Sequence, residues 1–179
     1  MKSEAELIFL RQASTAPPLL TRDTSLIATR GEDFELEIFY APEAGSGSEQ
    51  GDLFLELEID QDALLRYPEG HPRAGAGFLP GDTVTIRVSI DPDDLIATLE
   101  PSGLQFDPDR PAELEIRYSN ADDDFDEDGD PDPEEETKID LWRQERLGDP
   151  WVRIGEIKDR ELDRVRARLT SFSRYALAI

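Results

Sequence analysis

Apolar and polar residues alternate in short bursts along most of the chain. In Thr83–Ile90, Val84, Ile86, Val88 and Ile90 fall on one side, and Thr83, Thr85, Arg87 and Ser89 on the other. Side chains of a strand point to opposite faces in turn, so this period of two predicts a half-buried β-strand. Residues 33–40 repeat the pattern with Phe34, Leu36, Ile38 and Tyr40, and Leu53–Ile59 with Leu53, Leu55, Leu57 and Ile59. Further strands are predicted over 25–29, 95–99, 104–106, 112–118, 138–143, 151–154, 164–169 and 175–179. Residues 161–169 have helical propensity, but Arg164, Arg166 and Arg168 alternate with Val165, Ala167 and Leu169, which decides for a strand.

Between these bursts lie turn and loop signals. Arg30-Gly31 is expected to join 25–29 and 33–40 as a strand pair, and 41–52 is a loop of small and polar residues. Residues 60–65 are expected to make a helical turn, 71–80 a loop, and Asp91-Pro92 to break the strand before it. About ten short strands with no sustained helical period predict an all-β, antiparallel β-sandwich. Residues 1–22, which run through Ala16-Pro17-Pro18, read as a poorly ordered lead-in, and 23–179 as one domain. A chain of 179 residues suffices for one domain with a packed core.

Charge changes the picture. The net charge is −23, while residues 138–179 hold more bases than acids. A field of this sign repels phosphate backbones and anionic membranes, so no nucleic-acid partner is expected; basic partners and cations are favoured. The longest apolar run near the start, Leu7 to Leu10, is too short for a signal-peptide core or a membrane span. No cysteine is present for disulfides or thiolate metal sites.

The acid is densest at 122–136, DDDFDEDGDPDPEEE, with eleven carboxylates in fifteen residues. Asp124, Asp126, Asp128, Asp130, Asp132 and Glu135 stand at the ligand positions of a twelve-residue calcium loop, with Gly129 at the sixth place, where the chain must turn sharply. Asp130 would contribute its backbone carbonyl. Hard carboxylate oxygens suit Ca²⁺ over zinc or copper. Pro131 occupies the eighth position and removes an N–H from the usual loop pairing. The flanking runs are strands, so the segment is expected to form the tip of a long acidic hairpin. A solvated, unliganded loop is the competing reading.

Other chemistry is sparse. No nucleophile–base pair or phosphate loop appears, and the chain reads as no enzyme. The stripe of Arg164, Arg166 and Arg168 would either dock an acidic partner or offset neighbouring acids. Trp142 and Trp151 face each other across an expected hairpin, as packing or as a carbohydrate platform.

From residue 78 onward the sequence resembles bacterial relatives of the ZU-type β-sandwich, the domain family of netrin receptors, ankyrins and tight-junction scaffolds. The resemblance rests on Pro101, Gly103, Leu104, Phe106, Pro111, Leu114 and Tyr118, on Leu141, Trp142 and Trp151, and on the closing Phe172, Ser173, Tyr175, Ala176 and Leu177. It is looser over 34–78. It implies an extracytoplasmic, non-catalytic module of small surface or periplasmic proteins, and says little of molecular function. The reading is therefore a structural or interaction module with a protein or cell-surface partner; the alternative is a ligand-binding module that uses the Trp142 and Trp151 pair or the acidic tip to recognise carbohydrate or a basic protein. Some members of the family cleave their own backbone at His-Phe-Ser. Here Ser171-Phe172-Ser173 keeps the Phe172-Ser173 bond but lacks the histidine, and the chain's one histidine is His71.

Overall fold

The computed structural model describes every residue except Pro92 and Glu156. The read strand break at Pro92 therefore lies outside the described residues. Thirteen strands are formed among those described: β1 (Asp23–Thr29), β2 (Phe34–Phe39), β3 (Leu53–Ile59), β4 (Leu64–Arg66), β5 (Thr83–Ile90), β6 (Ala97–Glu100), β7 (Gln105–Phe106), β8 (Ala112–Arg117), β9 (Asp140–Gln144), β10 (Val152–Arg153), β11 (Ile157–Asp159), β12 (Arg164–Leu169) and β13 (Arg174–Ala178). One turn of helix, α1 (Pro133–Glu136), interrupts them. The strands form a six-stranded sheet in the order β1-β5-β6-β13-β9-β10, a five-stranded sheet β11-β12-β8-β3-β2, and the small pair β4-β7. The fold is an all-β sandwich.

The period-two runs bury one face each. Leu36 and Ile38 of β2, Leu55 and Leu57 of β3, Ile86 and Val88 of β5, Leu114 and Ile116 of β8, and Val165 and Ala167 of β12 join one core that spans both sheets. Burial of so many Leu, Ile, Val and Phe side chains, at about 1.5–3 kcal/mol each, is the main force holding the sheets together. A smaller cluster of Leu7, Ile96, Trp142, Trp151, Ala176 and Ala178 covers the other face of the six-stranded sheet.

Four expectations are corrected. Residues 25–29 and 33–40 do not pair: β1 pairs with β5, β2 with β3, and the turn at 30–31 carries the chain from one sheet to the other. The acidic run is not a hairpin tip. It leaves β8 in the five-stranded sheet and enters β9 in the six-stranded sheet, so it is a crossover between layers. Alternation places strands but is silent on their partners, which non-local packing selects. Nor do residues 1–22 run loose. Leu7, Leu10 and Leu19 are buried, and the segment is stitched by bridges Lys2–Trp151, Phe9–Ala178, Gln12–Ala121 and Leu19–Tyr40. The expected helical turn at 60–65 resolves into a turn followed by β4.

Candidate functional site

The crossover 122–136 wraps its backbone around its own carboxylates. The side chain of Asp124 accepts the N–H groups of Asp128 at 3.0 Å and Gly129 at 2.9 Å. Asp126 accepts Asp128 N–H at 3.1 Å, and Asp128 accepts Asp130 N–H at 2.9 Å. Gly129 sits at φ 98°, a left-handed conformation that a side chain would strain. The result is that one oxygen each of Asp124, Asp126 and Asp128 lies within 4.8 Å of the others. An N–H donated by Asp128 draws the Asp126 carboxyl downward, but desolvation and the charges of Asp128, Asp132 and Asp124 outweigh it and leave the pKa raised.

The other predicted ligands are drawn elsewhere. Asp132 accepts the N–H groups of Phe125 at 2.8 Å and Asp126 at 3.3 Å, closing the loop on itself. Glu135, within the helical turn α1, is paired with Lys138 at 2.6 Å. The structure thus brings three of the six residues together, and the side chains of Asp132 and Glu135 are held by other partners. The base of the loop leans on the N-terminal segment: Asp122 N–H donates to Arg11 O at 2.8 Å, and Arg11 reaches Glu127 at 3.5 Å and Asp94 at 3.4 Å.

A second charged feature covers the outer face of the five-stranded sheet. Strand register sets Glu35 opposite Glu58 and Glu37 opposite Glu56. It then sets Glu58 opposite Glu113 and Glu56 opposite Glu115, and these opposite Arg168 and Arg166. Two rows of carboxylates therefore run across three strands and end on the arginines of β12. Glu115 is buried beneath that end. Burial works to raise its pKa, but bonds from Arg166 (2.8 Å) and Arg117 (2.9 Å) and the charge of Arg164 outweigh it and hold the pKa low.

Farther from the arginines the rows lose this support. Oxygens of Glu35, Glu37 and Glu56 lie within 4.8 Å of one another. Like charges directly opposite on a sheet repel. Desolvation first, then Glu58, Glu115 and Glu35, push the Glu56 carboxyl up to about 7. Glu37 is raised as well, by desolvation and by Glu35. One whole row, Glu35, Glu58 and Glu113 with Arg168, lines a cavity of about 640 Å³ together with Asp33 and Arg110 among others. The sequence shows each Glu facing outward, yet only the register brings them into rows.

The remaining candidates resolve toward packing. Arg164 and Arg166 pair with Glu115, Asp159 and Glu113, so the stripe offsets neighbouring acids. Trp151 and Trp142 are both buried. Phe9 packs edge-on to Trp151, and Trp142 Nε1–H donates to Ala178 O at 3.1 Å. Across the β9–β10 hairpin Trp142 stands opposite Arg153, not opposite Trp151. Ser173 is buried, the Phe172 carbonyl accepts Gly103 N–H at 3.0 Å, and His71 stacks on Tyr67 in a different loop. No helix among the described residues is long and apolar enough to cross a membrane.

No family model, curated protein or solved structure matches the chain.

Proposed function

We propose that this chain is a non-catalytic β-sandwich interaction module, akin to the bacterial ZU-type domains and working outside the cytoplasm, in which calcium orders the inter-sheet crossover. The observation that carries the calcium reading is the convergence of Asp124, Asp126 and Asp128 about a turn already shaped by their own backbone bonds. A divalent ion there would relieve carboxylate repulsion and add to stability by mass action. Calorimetric titration of calcium into chelator-treated protein, with thermal melts beside it, tests this. Saturable binding in the range of about 10⁻⁴–10⁻³ M is expected, with a raised melting point, both lost in Asp126→Asn. No heat and an unmoved melt at millimolar calcium would refute it.

A second reading is favoured by the carboxylate rows: Glu35, Glu37 and Glu56 present converging carboxylates on an open sheet face, which suits a basic protein segment. It is supported if an oligolysine peptide binds with steep salt dependence and loses affinity in the Glu35→Gln, Glu37→Gln double variant. Salt-insensitive or absent binding would dismiss it. Carbohydrate recognition has no such support, since both indole rings are buried.

A further inference from the structure

The two large sheets have four edges, and three are guarded. β10 has two residues and β11 three. β2 carries Glu35 and Glu37, and its end is covered where Leu20 N–H donates to Phe39 O at 2.9 Å. Short strands, charge and covering segments are the usual means of preventing sheets from joining edge to edge. Beyond its first residue, Asp23, β1 has none of them. It is seven residues long, and from Thr24 to Thr29 it carries no charge in a chain of net charge −23. Leu26 is 46% exposed and Ile27 68%. Leu26 lies in register with buried Ile86, on the inner side of the sheet, yet is left largely uncovered at this edge.

The backbone of this edge has a definite parity. Arg22 O accepts Ile90 N–H at 2.7 Å, Arg30 N–H donates to Asp82 O at 2.8 Å, and Arg30 O accepts Gly81 N–H at 2.8 Å. Even-numbered residues thus turn their polar groups toward β5, and odd-numbered ones turn outward. At one end the Thr21 hydroxyl donates to Asp23 O at 3.0 Å, and at the other Thr29 O accepts Glu32 N–H at 3.1 Å. The N–H and C=O of Ser25 and of Ile27 remain in the middle, and no described strand pairs with them.

We propose that the chain pairs with a second copy of itself through β1, antiparallel about a two-fold axis at Leu26. A two-fold normal to the sheet sets residues with equal facing opposite each other, so the sum of paired numbers must be even. Centring on Leu26 is the register that overlays the whole strand: Asp23 meets Thr29, Thr24 meets Ala28, and Ser25 meets Ile27 of the other copy. Ser25 and Ile27 then exchange bonds in both symmetric pairs, and all four outward groups are satisfied. Leu26 meets its own counterpart at a non-hydrogen-bonded position, where side chains approach closest, and each covers the other's exposed face. Charge selects this edge for a like copy. The stretch from Arg22 to Arg30 holds two bases and one acid, and that acid, Asp23, is already paired with Arg87, whereas β2 would set Glu against Glu. The interface is isologous and closes on itself, so it stops at two.

The test is sedimentation velocity of the full chain from low to high micromolar concentration at moderate salt, with hydrogen exchange at both limits. The expected result is a concentration-dependent shift from the 20.2 kDa monomer toward twice that mass. Ser25 and Ile27 amides should gain protection at high concentration, while Leu26 and Ala28 amides, bonded within the sheet, stay unchanged. Ile27→Lys should abolish the shift, with no change in melting temperature at concentrations where the parent is monomeric. Leu147→Lys, at a still more exposed leucine outside the edge, should leave it intact. A single monomeric species at every concentration would overturn the proposal and leave the edge to a strand of another protein. So would an association that survives Ile27→Lys, or one in which Ser25 and Ile27 amides exchange at the monomer rate.

Discussion

Glu56→Gln should stabilise the protein, and only at the alkaline side. Glu56 sits between Glu37 on β2 and Glu115 on β8, and its pKa is pushed from 4.5 up to about 7, chiefly by desolvation and then by Glu58. Between those two values the folded protein holds a proton that the unfolded chain releases. Stability is therefore fully present below pH 4.5 and is lost as pH rises through about 7. A displacement of this size corresponds to about 3 kcal/mol if unscreened. On a face open to solvent, about 1–2 kcal/mol is the realistic share. Glutamine keeps the shape and hydrogen-bonding capacity of the protonated acid and removes the charge. Urea unfolding, followed through the buried Trp142 and Trp151, should show Glu56→Gln ahead of the parent by about 1–2 kcal/mol at about pH 8, with the gain fading by about pH 4. The difference between the two proteins isolates this residue from the other titrating carboxylates. A loss of stability at the higher pH, or an equal gain at both, would refute this account of the carboxylate rows.

Two further outcomes probe the packing. Gly155→Ala should cost about 2–3 kcal/mol in the same assay, because a Cβ there would overlap Asp140 Oδ1 and lie 3.0 Å from Leu141 N; Asp140 is a buried carboxylate held by Arg153 and by Lys158 at 3.1 Å. A neutral result would mean that this contact can relax. Removing residues 1–12 strips Leu7 and Leu10 from the cores and Phe9 from Trp151; after the entropy of ordering the segment is set against burial, a loss of about 2–4 kcal/mol is expected, with Trp151 fluorescence shifted toward that of an exposed indole. An unchanged melt and spectrum would return the segment to the status of a loose lead-in.

Much of the local structure is legible in the amino-acid order. Alternation locates Leu53–Ile59, Thr83–Ile90 and Arg164–Leu169 at the bounds the fold adopts, because a strand buried on one face must place an apolar residue at every second position. The turn chemistry of the acidic segment is local too: Asp124, Asp126 and Gly129 fold on one another through bonds spanning two to five residues. What alternation cannot carry is which strand lies beside which. The partition of β1 and β2 into separate sheets, the crossover from β8 to β9, and the packing of the first 22 residues along both layers all depend on contacts distant in sequence. The carboxylate rows belong to the same class. Glu35, Glu56 and Glu115 each read as an ordinary outward residue, and a slip of one position on β3 would turn Glu56 and Glu58 inward and dissolve the rows. Their charge comes from composition, but their mutual repulsion is a property of register, which the buried faces of three strands jointly determine.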